Sequence, residues 1–258
     1  MKTLADMPMA RRRANLGFSL VELMVALLIG LFLTGGILTL VGAMKRTTTS
    51  QTGLSQLQDN ERIAMGLIAD IIQSAGYYPN PVLNTSTTFF LATTTPQVFA
   101  SGQSITGSGA YTAAAPGDSI SLRYTTSGTD GVINCTGNTS TTQQTYTNTL
   151  SIDANGNLQC VLLIGTVAQP AVQLISGVTN LQIYYGVQTN PNVSNNSVDT
   201  YMDAPSVTAA GYWSKVLSVK VTLTFKNPLA GQPGQSAVGA TIPFTRVITV
   251  MNKTGVDS

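Results

Sequence analysis

Between Phe18 and Met44 the only ionisable side chain is Glu22, and no other stretch limits so strongly what the chain can become. As a helix, a run of that length crosses a hydrocarbon core of about 30 Å at about 1.5 Å per residue. A helix also satisfies its own main-chain polar groups in lipid. Spanning is therefore the default, and whatever follows must be something that a membrane can carry. Glu22 is the exception within the run. A carboxylate inside such a helix costs on the order of 2.5–3.5 kcal/mol on insertion scales, so it needs a partner or a purpose. The plainer alternative is that it lies near the helix end and reaches the headgroups. Arg11, Arg12 and Arg13 precede the run and place that end in the cytoplasm by the positive-inside bias, with everything after Met44 across the membrane. Lys45 and Arg46 form a weaker opposing pair.

The neighbours of the acid narrow its purpose. Gly17 stands at the junction of the arginine-bearing stretch and the apolar run, Phe18 follows, and Glu22 comes four residues later. A cut after Gly17 leaves a new α-amino group on Phe18, one helical turn from the Glu22 carboxylate. An ordinary secretory signal is cut after its apolar region instead. The constellation resembles the class III signal of type IV prepilins and of type II secretion pseudopilins. That resemblance implies a membrane peptidase and methylase that cuts after Gly17 and methylates Phe18, and it makes Glu22 an assembly residue. The physics agrees, because an acid in a packed helix bundle can be neutralised by the N-terminal ammonium of a neighbouring subunit. Residues 1–17 become a leader outside the fold. They hold the formal charge: Lys2 and the three arginines against Asp6 give the leader +3, so the chain total of +2 becomes −1 without it. No basic face is left for nucleic acid.

No proline occurs from Phe18 to Tyr78, so one helix can run from the membrane to about Ala75. Residues 18–44 form its transmembrane and assembly part, and residues 45–78 its periplasmic half. Leu54, Leu57, Ala64, Met65, Ile68, Ile71 and Ile72 fall in one sector at helical spacing, a core-facing stripe, with Asp59, Arg62 and Asp70 opposite. Glu61 and Ile63 break the pattern. Gly30, Gly35, Gly36, Gly42 and Gly53 mark places where the helix bends or melts, or where small residues let helices approach closely. Gly76 suits the end of the helix and Pro79 cannot continue it. The run Gln58–Ala64, followed by Asp70-Ile71-Ile72 and Ala75-Gly76-Tyr77, resembles the helix-to-head junction of PilW-type minor pilins.

Residues 79–258 read as a β-rich head, about 180 residues being enough for one domain with a real core. Ser, Thr, Asn and Gly dominate from Asn80 to Thr149, with one strand expected at Asp118–Tyr124. Leu150–Ile152 and Leu158–Leu163 flank Asp153-Ala154-Asn155-Gly156-Asn157 and read as a hairpin. Further strands are expected in Val172–Val187, where Leu174-Ile175 precede Leu181–Val187, in Leu217–Lys226, where apolar and polar residues alternate strictly, and around Ile242–Val250; an Asn-rich loop covers Gln188 to about Gly211. Cys135 and Cys160 are the only cysteines. A pair on the outer side of a membrane reads as a disulfide contributing about 3–4 kcal/mol in the chain-entropy model. The rival is a redox or metal role, but with no histidine in the chain zinc and iron–sulfur sites lack a ligand set. Val178–Val187, Asp199-Thr200-Tyr201, Trp213–Val216, Arg246 and Val250-Met251-Asn252 also resemble the PilW-type head. In the Asn-rich loop, Asn190, Asn192, Asn195 and Asn196 stand where that family is often more acidic, so no metal is assigned there.

The fold class is therefore α+β: a long N-terminal membrane-spanning helix packed on an antiparallel β-sheet head with long polar loops. Catalysis has little to work with, since general-base histidine, a nucleophile elbow and a phosphate-binding glycine loop are all missing. We expect no enzyme, no cofactor and no metal. Three functions remain: a minor pilin of a type IV pilus, a pseudopilin of a type II secretion system, and a tip adhesin or other binding module. The partners implied by the resemblance are the prepilin peptidase, other minor and major pilins, the inner-membrane assembly machinery, and membrane lipid before assembly.

Overall fold

A computed structural model describes residues 17–109, 117–190, 197–232 and 238–253. The rest of the expected leader, residues 1–16, and residues 191–196 of the Asn-rich loop lie outside the described residues. The chain divides into two compact units, Met1–Gln51 and Thr52–Ser258. One helix, α1 (Leu20–Ser74), provides all the described secondary structure of the first unit and opens the second. In the first unit its apolar side chains are exposed. In the second unit Leu57, Ala64, Met65, Ile68, Ala69, Ile71 and Ile72 are buried, the expected stripe with Ala69 added and Leu54 only half-buried. Ile63, which broke the pattern, is indeed exposed.

After α1 come a single turn, α2 (Ser86–Phe89), and a six-stranded antiparallel sheet. Its strands run β1 (Ile105–Ser108), β2 (Ser119–Thr126), β3 (Gln144–Ile152), β4 (Asn157–Ile164) and β5 (Val167–Ala168), with β6 (Val172–Ser176) also paired to β4. A second, four-stranded sheet contains β7 (Val178–Val187), β8 (Thr200–Met202), β9 (Val216–Lys226) and β10 (Thr241–Thr249), in the order β10-β9-β7-β8. The helix stripe and the inner residues of both sheets, among them Leu122, Leu158, Ile183 and Val221, form one buried apolar cluster. The α+β reading holds, with two sheets in the head.

Three differences from the sequence reading have physical causes. The strand expected from Leu150 starts at Gln144, because its threonines bond across the ladder: Ser121 pairs with Thr149 and Thr125 with Thr145, hydroxyl to hydroxyl at 2.8 Å. The Val172–Val187 run is two strands in different sheets. Gly177 lies between them at φ 80°, a conformation open to glycine; its carbonyl accepts from Lys226 N while Val178 N donates to Gly156 O, which fixes the crossover. The loop from Gln188 to Gly211 contains β8 and the helix α3 (Ala204–Ala210). Asp203 caps α3 by accepting from Ser206 N, Pro205 sits in its first turn, and Gly211 ends it in the left-handed conformation. Those cap signals stand in the sequence, but the helix is too short for periodicity to reveal it.

Candidate functional site

The arm begins with a cap. Ser19 precedes α1, its Oγ accepts from Glu22 N at 3.2 Å and its carbonyl accepts from Leu23 N at 3.2 Å. With Glu22 at the third helical position, Ser19-Leu20-Val21-Glu22 has the spacing of a capping box. An acid in the first turn is also favoured by the helix dipole. Gly17 and Phe18 lie just ahead of this cap, Gly17 in open space and Phe18 82% exposed. The structure thus brings Gly17, Phe18 and Glu22 together at one helix start. Farther along, the hydroxyls of Thr34, Thr47, Thr48 and Thr49 bond back to carbonyls four residues earlier, which lets these polar residues sit in the helix without unmet groups. The described part of the chain has one helix long and apolar enough to cross a membrane.

The other end of α1 is fastened to the head through main-chain and side-chain bonds. Gly76 ends the helix at φ 80°. Gly76 N then donates to Arg123 O at 2.9 Å, Thr125 N donates to Tyr77 O at 2.8 Å, and Asn252 donates to Gly76 O. Tyr77 Oη donates to Asp130 Oδ2 at 3.1 Å. Burial pushes the Asp130 carboxyl up, but donors from Thr126, Ser127 N, Val132 N and Tyr77 outweigh it and hold the group down at about 2. Burial, and then the hydrogen bond to the Asp130 carboxylate and its charge, push the Tyr77 hydroxyl up.

Next to this junction lies a cation that the sequence did not single out. Arg123 is 3% exposed. Its guanidinium donates to the carbonyls of Gln103, Leu91, Phe90 and Ala100 and lies over the rings of Phe90 and Phe99, 5.3 and 4.4 Å from their centroids. Burial lowers its pKa to about 10. It gathers residues 90–103 onto the outer face of β2. The sequence hid it because Arg123 occupies the polar phase of an alternating strand, where a charge normally meets water.

Cys135 and Cys160 form a disulfide with a Cα–Cα distance of 6.4 Å, tying the loop before β3 to β4. Both are buried, and Cys135 N donates to Asn148 Oδ1 at 2.9 Å. The Asp153–Asn157 segment is the expected hairpin turn; Asp153 accepts from Asn155 N, Asn157 N and Asn157 Nδ2, so its carboxylate serves the turn. Among the described residues no group of three or more Asp, Glu, His or Cys is arranged to hold a metal.

Two family models match. One, type IV pilus-assembly protein W, covers residues 132–242, and the other, the prokaryotic N-terminal methylation motif, covers residues 12–38. No curated protein and no solved structure matches the chain. The methylation motif falls on the capped apolar arm with Gly17, Phe18 and Glu22, and the assembly-protein match falls on the disulfide-bonded head. Residues 12–38 thus match the prepilin-type methylation motif and residues 132–242 the pilus-assembly family, which supports a type IV pilus-related, prepilin-like pilin.

Proposed function

We propose that this protein is a minor pilin: a structural subunit, not an enzyme, that enters or initiates a type IV pilus through its N-terminal helix. The peptidase cuts after Gly17 and methylates Phe18; the leader is cytoplasmic, the head is periplasmic, and the protein waits in the inner membrane until it is assembled. One observation carries the reading. The methylation motif falls on a helix start whose first turn holds one acid, Glu22, four residues after Phe18. In a low-dielectric bundle Glu22 pairs with the Phe18 ammonium of a neighbour, and each charge depends on the other being present. Glu22→Leu makes the helix more apolar and leaves the leader untouched. The variant should be processed and inserted normally yet fail to enter pili, read by immunoblot of membranes and of sheared fibres; wild-type piliation would return Glu22 to a tolerated interfacial acid. Type II secretion is the second reading, since the arm serves both systems. The pilus-assembly match on the head favours the first. Recovery of the protein in sheared pili supports it, whereas loss of protein export on deletion supports the second.

A further inference from the structure

The loop pinned by the disulfide forms one wall of a cleft that the arm does not use. The cleft has a volume of about 450 Å³, within the range of small-molecule sites. Four carboxamides, Asn134, Asn138, Gln144 and Gln169, border it with the hydroxyls of Thr136 and Ser140, and Tyr146, Leu162 and Ile164 contribute its apolar part. Among the described residues, no charged side chain lines it.

That inventory selects a ligand class. An ion would lose hydration with no opposite charge to replace it, and a purely apolar ligand would leave the amides without partners. A carboxamide offers donors and an acceptor together, as a hydroxyl does, so the lining matches a neutral molecule rich in hydroxyls. The floor argues against an extended peptide. Tyr146 and Ile164 are directly opposed on β3 and β4, so the main chain beneath the cleft is already paired.

The wall is also held before any ligand arrives. Asn134 Oδ1 accepts from Thr136 N, Thr136 Oγ1 and Asn138 N at 3.0, 2.6 and 3.2 Å, and Asn138 Nδ2 donates to Thr136 Oγ1 at 3.0 Å. With Cys135 bonded to Cys160 next door, little ordering is left to oppose binding. Asn138 Oδ1 and the Gln169 side-chain carboxamide make no hydrogen bond among the described residues and are available.

We infer that this cleft binds a short neutral oligosaccharide, giving the head a glycan-recognition site separate from its assembly arm. The test uses the full chain in lipid nanodiscs free of glycosidic detergent, with saturation-transfer NMR against maltotriose, cellotriose, chitotriose and lactose. Sialyllactose and tetra-alanine serve as the charged and peptide probes. At least one neutral sugar should give a saturable signal at millimolar concentration or below. Asn138→Ala with Gln169→Ala should weaken it at least fivefold without changing the melting temperature, and Ser140→Trp should block it by filling the cleft. The inference is overturned by no saturable signal from any neutral sugar, by unchanged affinity in the variants, or by saturation with tetra-alanine instead. Failure here leaves the role of Glu22 untouched.

Discussion

At the scale of single residues, the head depends on charges placed where the sequence pattern would not put them. Arg123 is a buried cation satisfied by four carbonyls and two rings, with no carboxylate partner among the described residues. Replacing it with Leu keeps apolar volume but strands those carbonyls, each costing about 1–3 kcal/mol if it stays buried and dry. Relaxation of the 90–103 segment recovers part of this, so Arg123→Leu should lose about 3–5 kcal/mol in urea unfolding, and Arg123→Lys should also be destabilising because one ammonium cannot span the same acceptors. Asp130 works in the opposite electrostatic sense. Its folded pKa, about 2, lies below the ordinary carboxylate value. Its contribution is therefore complete above about pH 4 and is lost as pH falls through 2. The side chain is exposed, so the contribution is on the order of 1 kcal/mol after solvent screening. Asp130→Asn should lower stability at pH 7 by about that amount and flatten stability against pH between about 5 and 2, measured by thermal melts across the range.

At the scale of elements, helix, loop and strand are fixed by a few close approaches. Of the glycines flagged in α1, Gly30, Gly35, Gly36 and Gly42 have nothing within 4 Å of a Cβ, whereas a Cβ on Gly53 would lie 2.9 Å from Pro228 Cβ. Gly53 is thus a site of close packing against the β9–β10 connection. That neighbour is a connection between strands and not another helix, and it shows only in the folded chain, because nothing in the helix sequence tells which of its small residues meets another segment. The disulfide is the second fixture. Its cysteines are 25 residues apart, and a closed loop of that size contributes about 3–4 kcal/mol in the chain-entropy model. Cys135→Ser with Cys160→Ser should lower the unfolding free energy by that order, and intact-mass analysis of the exported wild type should find no free thiol.

At the scale of the whole molecule, membrane anchoring and head folding are specified by different parts of the chain. The described apolar side chains of the arm are exposed in its first unit, so under the proposed function they face lipid before assembly and other subunits afterwards, with processing between the two stages. A side chain at position 17 adds bulk at the proposed scissile bond, so Gly17→Val should leave a membrane-bound precursor that retains residues 1–17, detected as a heavier band and absent from pili. Normal-length mature protein would overturn the assigned cut. The mutation should leave the head stable, because a Cβ at position 17 meets nothing within 4 Å among the described residues.

Periodicity and charge determined the long helix, its buried stripe and its end at Gly76, because each rests on contacts within a few residues or on the contrast between apolar and charged faces. The same holds for β9, whose alternating apolar residues from Leu217 to Phe225 are all buried. Tertiary structure alone decided what depends on residues far apart. The division into two sheets at Gly177 rests on bonds from Lys226 and to Gly156. The burial of Thr147 and Thr149, in a stretch that reads as polar loop, rests on neighbouring strands. The burial of Arg123 rests on carbonyls 20 to 33 residues away in sequence. Local pattern reports which side of an element is apolar; only the folded chain reports which distant groups make it possible to bury a polar one.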